Sequence, residues 1–591
     1  MRVRVNGNSK ANIYAFDFRT RQDDLTLESG RASVWLATIK GDGFEGFYNS
    51  INEFIEAVIS LSEKENCCFY CFDLGFHWSY LFYALMIKGY KYTQRMKKDS
   101  EKVFNAFGTS HATVVYSACV KTAANSGLCY FKDIKAVYAG YKTLELMAES
   151  FKSSRSFHPD VLEKEHPNGT PPTEEEKENA ISRSSFIFDV LKRQEENPEF
   201  FRSITLASFS MKSAIRHAFG WCKNPFAAYR SNKMCPKIED PEEKQALRCS
   251  IKGGLAGPTV AAIDRNYNVD EPLFVIDRTQ SYPSEMKKSK LPRGTGEYFS
   301  GFQIIPGKIH LYHVNIISYD GVKMHSLPDL MQMHLHYMPE GMEVISLWIW
   351  EWEYWQAFGT YINLKMEVLE GYAYRKGIFP FGSYVERNQE ERRKLEAEGD
   401  FIGAAHLKAL NVSLYGKLIQ KPSKERLKQV EDDDGLLDTE SEEREEEKEA
   451  NYTYEPAGSA IPALSRYHTV QLAEQFGYEN VMYCETDSLI VIKNEHTKAV
   501  LDGMELKKEL GYWHIEAFAK RAYFPMAKRY KYERDDGETV IKGAGIDVSQ
   551  FSREYDEAAI VGVSVSMRQK KMAKGGTLLI KIRKKLKEAN K

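Results

Sequence analysis

Two carboxylates one residue apart, Glu485 and Asp487, stand between apolar runs in Val481-Met-Tyr-Cys-Glu-Thr-Asp-Ser-Leu-Ile-Val491. Carboxylates are rarely buried unless they are paired or bind a cation. This pair therefore either holds a metal ion or caps a strand end at the surface. A further acid, Asp277, closes the apolar run Phe274-Val-Ile-Asp277 and is followed by Arg278-Thr-Gln-Ser-Tyr282-Pro-Ser284. Carboxylates on neighbouring strands could hold two divalent ions about 4 Å apart, the arrangement used for in-line phosphoryl or nucleotidyl transfer. Magnesium suits such a site because it takes oxygen ligands and completes its shell with water and substrate phosphates. Between the two acidic motifs lies Lys408-Ala-Leu-Asn-Val-Ser-Leu-Tyr415-Gly416. On a helix, Lys408, Asn411 and Tyr415 fall at i, i+3 and i+7 and share one face. A cation and an aromatic ring on that face could meet a triphosphate and a base.

These residues need strands and helices to position them. Residues 11–18 and 66–76 read as buried strands, and an α/β pattern continues to about residue 195. The Pro- and Glu-rich segment Glu163–Asn179 reads as a surface loop. Val260–Ile276 and Lys308–Tyr319 alternate as strands do. Gln389–Gly416 reads as one long helical stretch, polar first and then apolar around Lys408. A basic helix is expected to close the chain.

The 591 residues are 43% hydrophobic, enough for several cores and hence several domains. No run approaches the roughly 18 uncharged apolar residues of a membrane span, and the first residues lack the apolar stretch of a signal peptide. Of nine cysteines only Cys67, Cys68 and Cys71 cluster, in CCFYC. On a strand, positions three apart face opposite sides, and no second CxxC completes a zinc site. Reduced thiols in a cytoplasm are the simplest account. The net charge of −2 hides an asymmetry. Residues 431–449 hold 12 acids and 2 bases, while the last 24 residues hold 10 bases and one acid. The acidic run lacks hydrophobic periodicity and reads as a disordered segment or a solvated hairpin. The basic tail could neutralise phosphates or form a solvated helix end.

Taken in order, VIDRTQSYPS, KALNVSLYGK, YCETDS, and Lys528-Arg-Tyr530 with Lys542-Gly-Ala-Gly545 resemble the polymerase motifs of family B DNA polymerases, most closely the protein-primed branch of phages and linear plasmids. Ile251-Lys-Gly253-Gly254 resembles that branch's YxGG linker, with Ile for the tyrosine. The resemblance implies an α/β multi-domain fold: an RNase H-like, exonuclease-type N-terminal domain followed by a palm–fingers–thumb right hand. It implies that Asp277, Asp487 and the main-chain carbonyl of Arg278 contact two Mg²⁺ ions, which Mn²⁺ could replace, with Glu485 the less direct acid. Tyr282 would exclude a ribose 2′-OH. Lys408, with Asn411 in part, would grip the incoming triphosphate, and Tyr415 would lie at the nascent base pair. Lys528 and Tyr530, with Gly253 and Gly254, would hold the primer end and DNA. Phe76 and Tyr80 would grip a single strand, and Thr143 and Leu144, matching an S/T-L motif, would help hold the primer or the priming protein.

The sequence departs from the pattern in several places. Glu485 replaces an Asp, and Val412 stands where the fingers motif has Asn, with Asn411 one residue earlier. In the N-terminal domain the family's DxE, NxxxD and YxxxD motifs are eroded. Asp17 is followed by Arg19 instead of Glu, and Asp73 and His77 stand for Asn and Asp. Ser185 precedes Asp189 in place of the tyrosine. An always-protonated guanidinium at Arg19 would repel a cation or pair with Asp17. A retained fold without exonuclease activity is expected.

The resemblance implies seven regions. Residues 1–205 form the degenerate exonuclease-like domain, and 206–306 the linker and first part of the palm. Residues 307–374 form an insertion resembling the terminal-protein-contact region, and 375–416 the fingers. A second insertion with the acidic run occupies 417–452. The rest of the palm spans 453–542, and the basic thumb 543–591. The expected function is DNA-templated DNA synthesis from dNTPs on a primer-template, with a separate terminal protein as primer and no membrane, in a host cytoplasm if the chain is viral. Two rivals stay open: untemplated or specialised synthesis by the same site, and a non-catalytic DNA-binding protein on a polymerase fold.

Overall fold

In the computed structural model the alternating segment Ser9–Arg21 forms a long inner strand, antiparallel to Ser33–Gly41 and parallel to Cys67–Cys71. The structure describes the chain apart from residues 7–8, 22–32, 94–95, 98, 109–114, 125, 139–140, 142, 156–169, 232, 325–344, 422, 432–436, 449–450, 544–562, 572–576 and 586–591. Residues 6, 21, 107–108, 423–431, 437–448, 563–571 and 577–585 are described by their backbone.

The first sheet has nine strands and mixes parallel with antiparallel pairs. Its two faces carry separate cores, and residue parity assigns each side chain to one of them. Cys67, Phe69 and Cys71 pack with Phe54, Trp78 and Leu81, whereas Cys68 and Tyr70 pack with Ile187, Leu191 and Phe201. Cys68 and Cys71 thus face opposite sides, as the strand reading of CCFYC requires. The strand ends at Cys71, sooner than the expected 66–76. Asp73 adopts a left-handed backbone (φ 67°) and caps the helix Leu74–Ile87 through Phe76 N–H. Glu174–Asn179, expected as loop, opens the helix Glu174–Arg193 because Thr173 and Glu176 form a capping box. The earlier part of that expected loop, 163–169, lies outside the described residues.

A second sheet of eight strands is centred on Leu273–Arg278, which pairs antiparallel with Ser488–Ile492 on one side and Trp513–Met526 on the other. Val260–Ile276 is not continuous strand. It folds as a short helix, Val260–Ile263, a bridge at Asn268–Val269 and then the Asp277 strand. Asn266 and Tyr267, both at positive φ, turn the chain between them. A third sheet joins Lys290–Ser300, Lys365–Ile378, Lys308–Ser318 and Ile345–Trp350, with the helix Glu351–Thr360 packed on it.

The expected single helix over 389–416 is two, Gly382–Ala397 and Phe401–Leu418, packed side by side. Gly399 at φ 81° ends the first, and Asp400 caps the second by accepting from Gly403 N–H. Leu414 and Leu418 of the second helix join Met211, Tyr384, Tyr454 and Ile461 in a shared core. Each such fully buried side chain stabilises the junction by roughly 1.5–3 kcal/mol.

Of the acidic run, Glu431 and Leu437–Lys448 lie in an antiparallel ladder that pairs Ser423–Glu431 with Leu437–Lys448, while residues 432–436 and 449 lie outside the described residues. Where a basic helix is expected, the described residues near the end pair as antiparallel strands, Val563–Lys571 with Thr577–Lys585. Thr577-Leu-Leu-Ile-Lys-Ile-Arg-Lys-Lys585 contains a period-two stretch, Ile580-Lys-Ile-Arg583, which stands opposite Val565-Ser-Met-Arg568. Among the described residues no helix is long and apolar enough to cross a membrane.

Candidate active site

Asp277 lies opposite Ser488 on one neighbouring strand and His514 on the other, in the middle of the second sheet. Asp487 sits in the two-residue turn that joins Val481–Glu485 to Ser488–Ile492, with Thr486 at φ 58°. The turn is fastened to the Asp277 strand, since Arg278 N–H donates to the Asp487 carbonyl at 2.8 Å. Two carboxylates 210 positions apart in the chain thereby become neighbours. Their electrostatics record it. Burial, then the charges of Asp487 and Glu516, push the Asp277 carboxyl up to about 7, against the pull of Lys408 and Lys542. Asp487 is also raised, chiefly by burial, despite Ser281 N–H at 3.4 Å. Glu485 is raised by burial and Asp487, with Lys528 opposing.

The turn is clamped from behind. Thr486 N–H donates to Leu255 O at 2.6 Å, and Gly254 approaches so closely that a Cβ there would stand 2.7 Å from Thr486 Cα. Gly254 is needed for close approach and not for its backbone angles. Gly253 presents its carbonyl to Arg466 at 2.5 Å, and Arg466 is itself buried against Glu353 at 2.7 Å. The linker glycines, the Glu353 helix and the Arg466 helix thus meet behind Asp487.

After Arg278 the strand converts to a helix, Ser281–Lys288, through Gln280 at φ 49°. The Arg278 side chain folds back to Gly511 O, Ser281 Oγ and Glu285. Burial opposes ionisation of Glu285, but His468 and Arg278 hold it down at about 2. A fixed ion pair therefore sets the strand-to-helix corner at which the Arg278 main chain lies.

Tyr282, in the first turn of that helix, meets Tyr415 of the Phe401–Leu418 helix edge-on, ring centroids 4.8 Å apart and planes inclined at 65°. Lys408 is exposed on the same helix, within electrostatic reach of both Asp277 and Asp487. Asn411 does not share its face. It is buried and binds Asn388, Gln280 and the Val385 carbonyl, while Val412 is 45% exposed. At 100° per residue the i+4 position, not i+3, stays on the open side, so Asn411 fixes the two helices together instead of facing a nucleotide.

Lys528, at φ 61°, is exposed near Glu485, and its N–H donates to Tyr483 OH at 2.7 Å. Tyr530 is buried against Tyr483, centroids 4.6 Å apart. Sequence reasoning missed Glu516 and Arg466. Glu516 occupies a bulge between the residues that pair with Ile276 and Val275, and its charge bears on Asp277. Its alternation in WHIEAFA gives no signal, because a bulge shifts the register locally. Among the described residues, no three His, Cys, Asp or Glu side chains form a ready-made metal cage.

The N-terminal domain holds a different cluster from the one expected. Asp17 is buried and binds His77 Nε2 at 3.2 Å, Arg183 Nε at 3.0 Å and Arg19 at 3.5 Å. Arg183 also pairs with Glu145. Burial alone would raise the Asp17 carboxyl, but Arg183, Arg19 and His77 hold it well below the ordinary range. The expected partners Asp73, Ser185 and Asp189 are elsewhere. Asp73 pairs with Lys135, Ser185 is buried in the helix, and Asp189 pairs with Arg155 at 2.7 Å on another side of it. The helix presents Arg183, six residues earlier, to Asp17, so the YxxxD alignment at Ser185 is out of register. Tyr80 and Leu144 are buried, Phe76 is half-buried against Tyr80, and exposed Thr143 caps the helix Leu144–Ser150.

A sequence profile described as DNA polymerase type B, organellar and viral, matches residues 183–502. The DNA polymerase of Bacillus phage Nf is 27% identical over 323 residues, 52% of this chain and 53% of that protein. That of Streptococcus phage Cp-1 is 23% identical over 372 residues, 60% of this chain and 63% of the other. The chain thus spans about half to three-fifths of the length of these curated relatives. A solved structure of Phi29 DNA polymerase with primer-template DNA and incoming nucleotide superposes with a TM-score of 0.80 at 20% identity, covering 98% of this chain and all of that one. Phi29 DNA polymerase with single-stranded DNA gives 0.74 at the same identity and coverage. At these identities the likeness is one of fold.

Proposed function

Because this chain belongs to the organellar and viral type B DNA polymerases, we propose that it synthesises DNA on a template, adding dNTPs to a primer hydroxyl at Asp277 and Asp487. The observation that carries the reading is the convergence of these two half-buried carboxylates beneath Lys408, beside the Tyr282–Tyr415 pair. The donor set suits hard divalent cations. Carboxylate oxygens of Asp277 and Asp487 and the main-chain carbonyl of Arg278 would hold Mg²⁺, or Mn²⁺ in its place. The raised carboxyls fit this assignment, since a cation would relieve the repulsion between them. Bound there, the ions would supply charge neutralisation at the reacting phosphate.

The chain's own residues orient the reaction. Lys408 offers an ammonium to the triphosphate, and Tyr282 crowds the sugar where a 2′-OH would lie. Tyr415 supports Tyr282 from the neighbouring helix. Lys528, beside Glu485, faces the side where a primer strand would enter. The primer 3′ oxygen attacks the α-phosphorus, the bond to the β-phosphate oxygen breaks, and pyrophosphate leaves. Protein priming would use a separate terminal protein offering a hydroxyl in place of the DNA end, and the phage relatives point to a host cytoplasm as the setting.

Proofreading is absent in this reading. Two guanidinium groups surround Asp17, where a two-metal exonuclease needs several carboxylates. One assay tests both claims. Labelled primer is incubated with Mg²⁺ or Mn²⁺ and single dNTPs, with and without template, beside Asp487→Ala. Template-dictated extension without primer shortening is expected. Template-blind extension supports a specialised polymerase instead, and no extension supports a non-catalytic DNA-binding protein.

A further inference from the structure

The exonuclease-like domain touches the Lys408 helix at its first turns. Ser150, the last residue of the helix Leu144–Ser150, donates to both oxygens of Asp400, at 2.7 and 2.8 Å. Asp400 is the residue that caps the Lys408 helix through Gly403 N–H at 2.8 Å. Gly403 makes the double use possible, because a Cβ there would stand 2.4 Å from Asp400 Oδ2. Asp400 N–H is in turn fixed to Leu395 O at 2.8 Å, so the turn between the two helices is tied at three points. One and a half turns further on, His406 is buried between Tyr138 and Tyr141, centroids 4.9 and 5.8 Å away, and Tyr141 OH reaches Ser150 Oγ at 3.3 Å. The exposed pair Lys152–Glu398, at 3.0 Å, flanks the contact.

We infer that the exonuclease-like domain acts as a seat for the nucleotide-gripping helix, with Ser150 and Asp400 as positioning residues that hold Lys408 at the height of Asp277 and Asp487. This rests on the polymerase reading only for its consequence, not for the contact. Asp400 accepts from a helix N-terminus and from a hydroxyl of another domain with one carboxylate. Loss of the Ser150 hydroxyl leaves the cap intact but frees the helix start to tilt. A domain whose chemistry has been replaced by ion pairs would then be retained because the fingers rest on it.

The test compares wild type with Ser150→Ala, Ser150→Thr and Lys152→Ala. Two readouts are taken: amide hydrogen exchange over residues 401–408, and the dNTP concentration dependence of single-nucleotide extension. Ser150→Ala should exchange faster and raise KM for dNTP about fivefold to tenfold, less than the full effect of a lost hydrogen bond to a charged group because Gly403 N–H still holds Asp400, with kcat changed less. Ser150→Thr should restore both, and Lys152→Ala should leave both as in wild type. Unchanged exchange in Ser150→Ala overturns the seat, and faster exchange with unchanged KM overturns its positioning role. If wild type extends no primer, the polymerase reading fails, while faster exchange still supports the seat and unchanged exchange overturns it.

Discussion

Tyr282 and Tyr415, 133 positions apart, meet edge-to-face with ring centroids 4.8 Å apart. The contact joins the helix that follows Asp277 to the helix that carries Lys408, and it holds Tyr282 within electrostatic reach of Asp487. In the proposed reading Tyr282→Ala removes the crowding that rejects a ribose. Discrimination between dNTP and rNTP should fall by on the order of 100-fold, read as the ratio of kcat/KM values. Tyr282→Phe keeps the ring and should stay near wild type.

Asp277→Asn and Asp487→Asn keep the shapes of their side chains and remove the charge. Each should lower single-nucleotide incorporation by about 1000-fold or more, since roughly 4 kcal/mol of transition-state stabilisation corresponds to that factor. Burial and then the Asp487 charge raise Asp277, and either change removes the repulsion between these two carboxylates, so thermal stability should hold or rise. A rate within tenfold of wild type for both variants would remove these residues from the chemistry.

Gly254→Ala tests the clamp behind the Asp487 turn. The added methyl would meet Thr486 Cγ2 at 2.6 Å and Thr486 Cα at 2.7 Å, so the turn or the linker must move. A displacement near 1 Å at Asp487 is enough for a drop on the order of 100-fold in incorporation rate. Overpacking of this kind costs about 1–3 kcal/mol, so the variant should still fold. Gly253, with open space around its Cβ position, should accept alanine with little effect.

Arg183→Ala leaves Asp17 buried with only Arg19 and His77 beside it. Leaving a buried charge unpaired costs about 3–5 kcal/mol, and because Asp17 keeps Arg19 and His77 the shift in denaturant unfolding of the N-terminal domain should fall below that. Incubation of the wild type with a labelled single strand and Mg²⁺ should release no nucleotides. Shortening of that strand would show that the ion-paired cluster still cuts.

Burial holds His406 down to about 4, against about 6.5 for an exposed histidine. Below pH 6.5 the unfolded chain takes up a proton that the folded chain refuses, so stability falls as pH drops from about 6.5 towards 4. The loss from this group approaches roughly 3 kcal/mol at the lower end. Asp277, raised to about 7, acts in the opposite direction in the same window. The difference between wild type and His406→Phe in thermal midpoint across pH 7 to 4.5 isolates the histidine, and a constant difference would remove it as the cause.

Local chemistry made much of the polymerase half legible. Apolar runs ending in Asp277 and Asp487 read as buried strands because carboxylates interrupt such runs only at a price that pairing or a cation must offset. Lys408 and Tyr415 at helical spacing read as one face for the same local reason. The break at Gly399 and Asp400 was written in residue types that cap helices, yet periodicity on both sides concealed it. The strand pairing near the end was missed because charge dominated the reading of a segment whose alternation is period two.

The sequence by itself determined which residue types lie on strands and helices, and the order of motifs that marks a type B polymerase. It determined too that Arg19 and His77 stand at positions to which the exonuclease motifs of the resembled family assign acids. Tertiary structure decided which side chains meet: Asn411 turned inward at i+3, Arg183 instead of Asp189 placed on Asp17, Glu516 brought to Asp277 by a bulge, and Ser150 set against Asp400. Those outcomes depend on helix phase, strand register and the docking of distant segments. A one-residue change in any of them turns a side chain to another face, and local periodicity does not fix it.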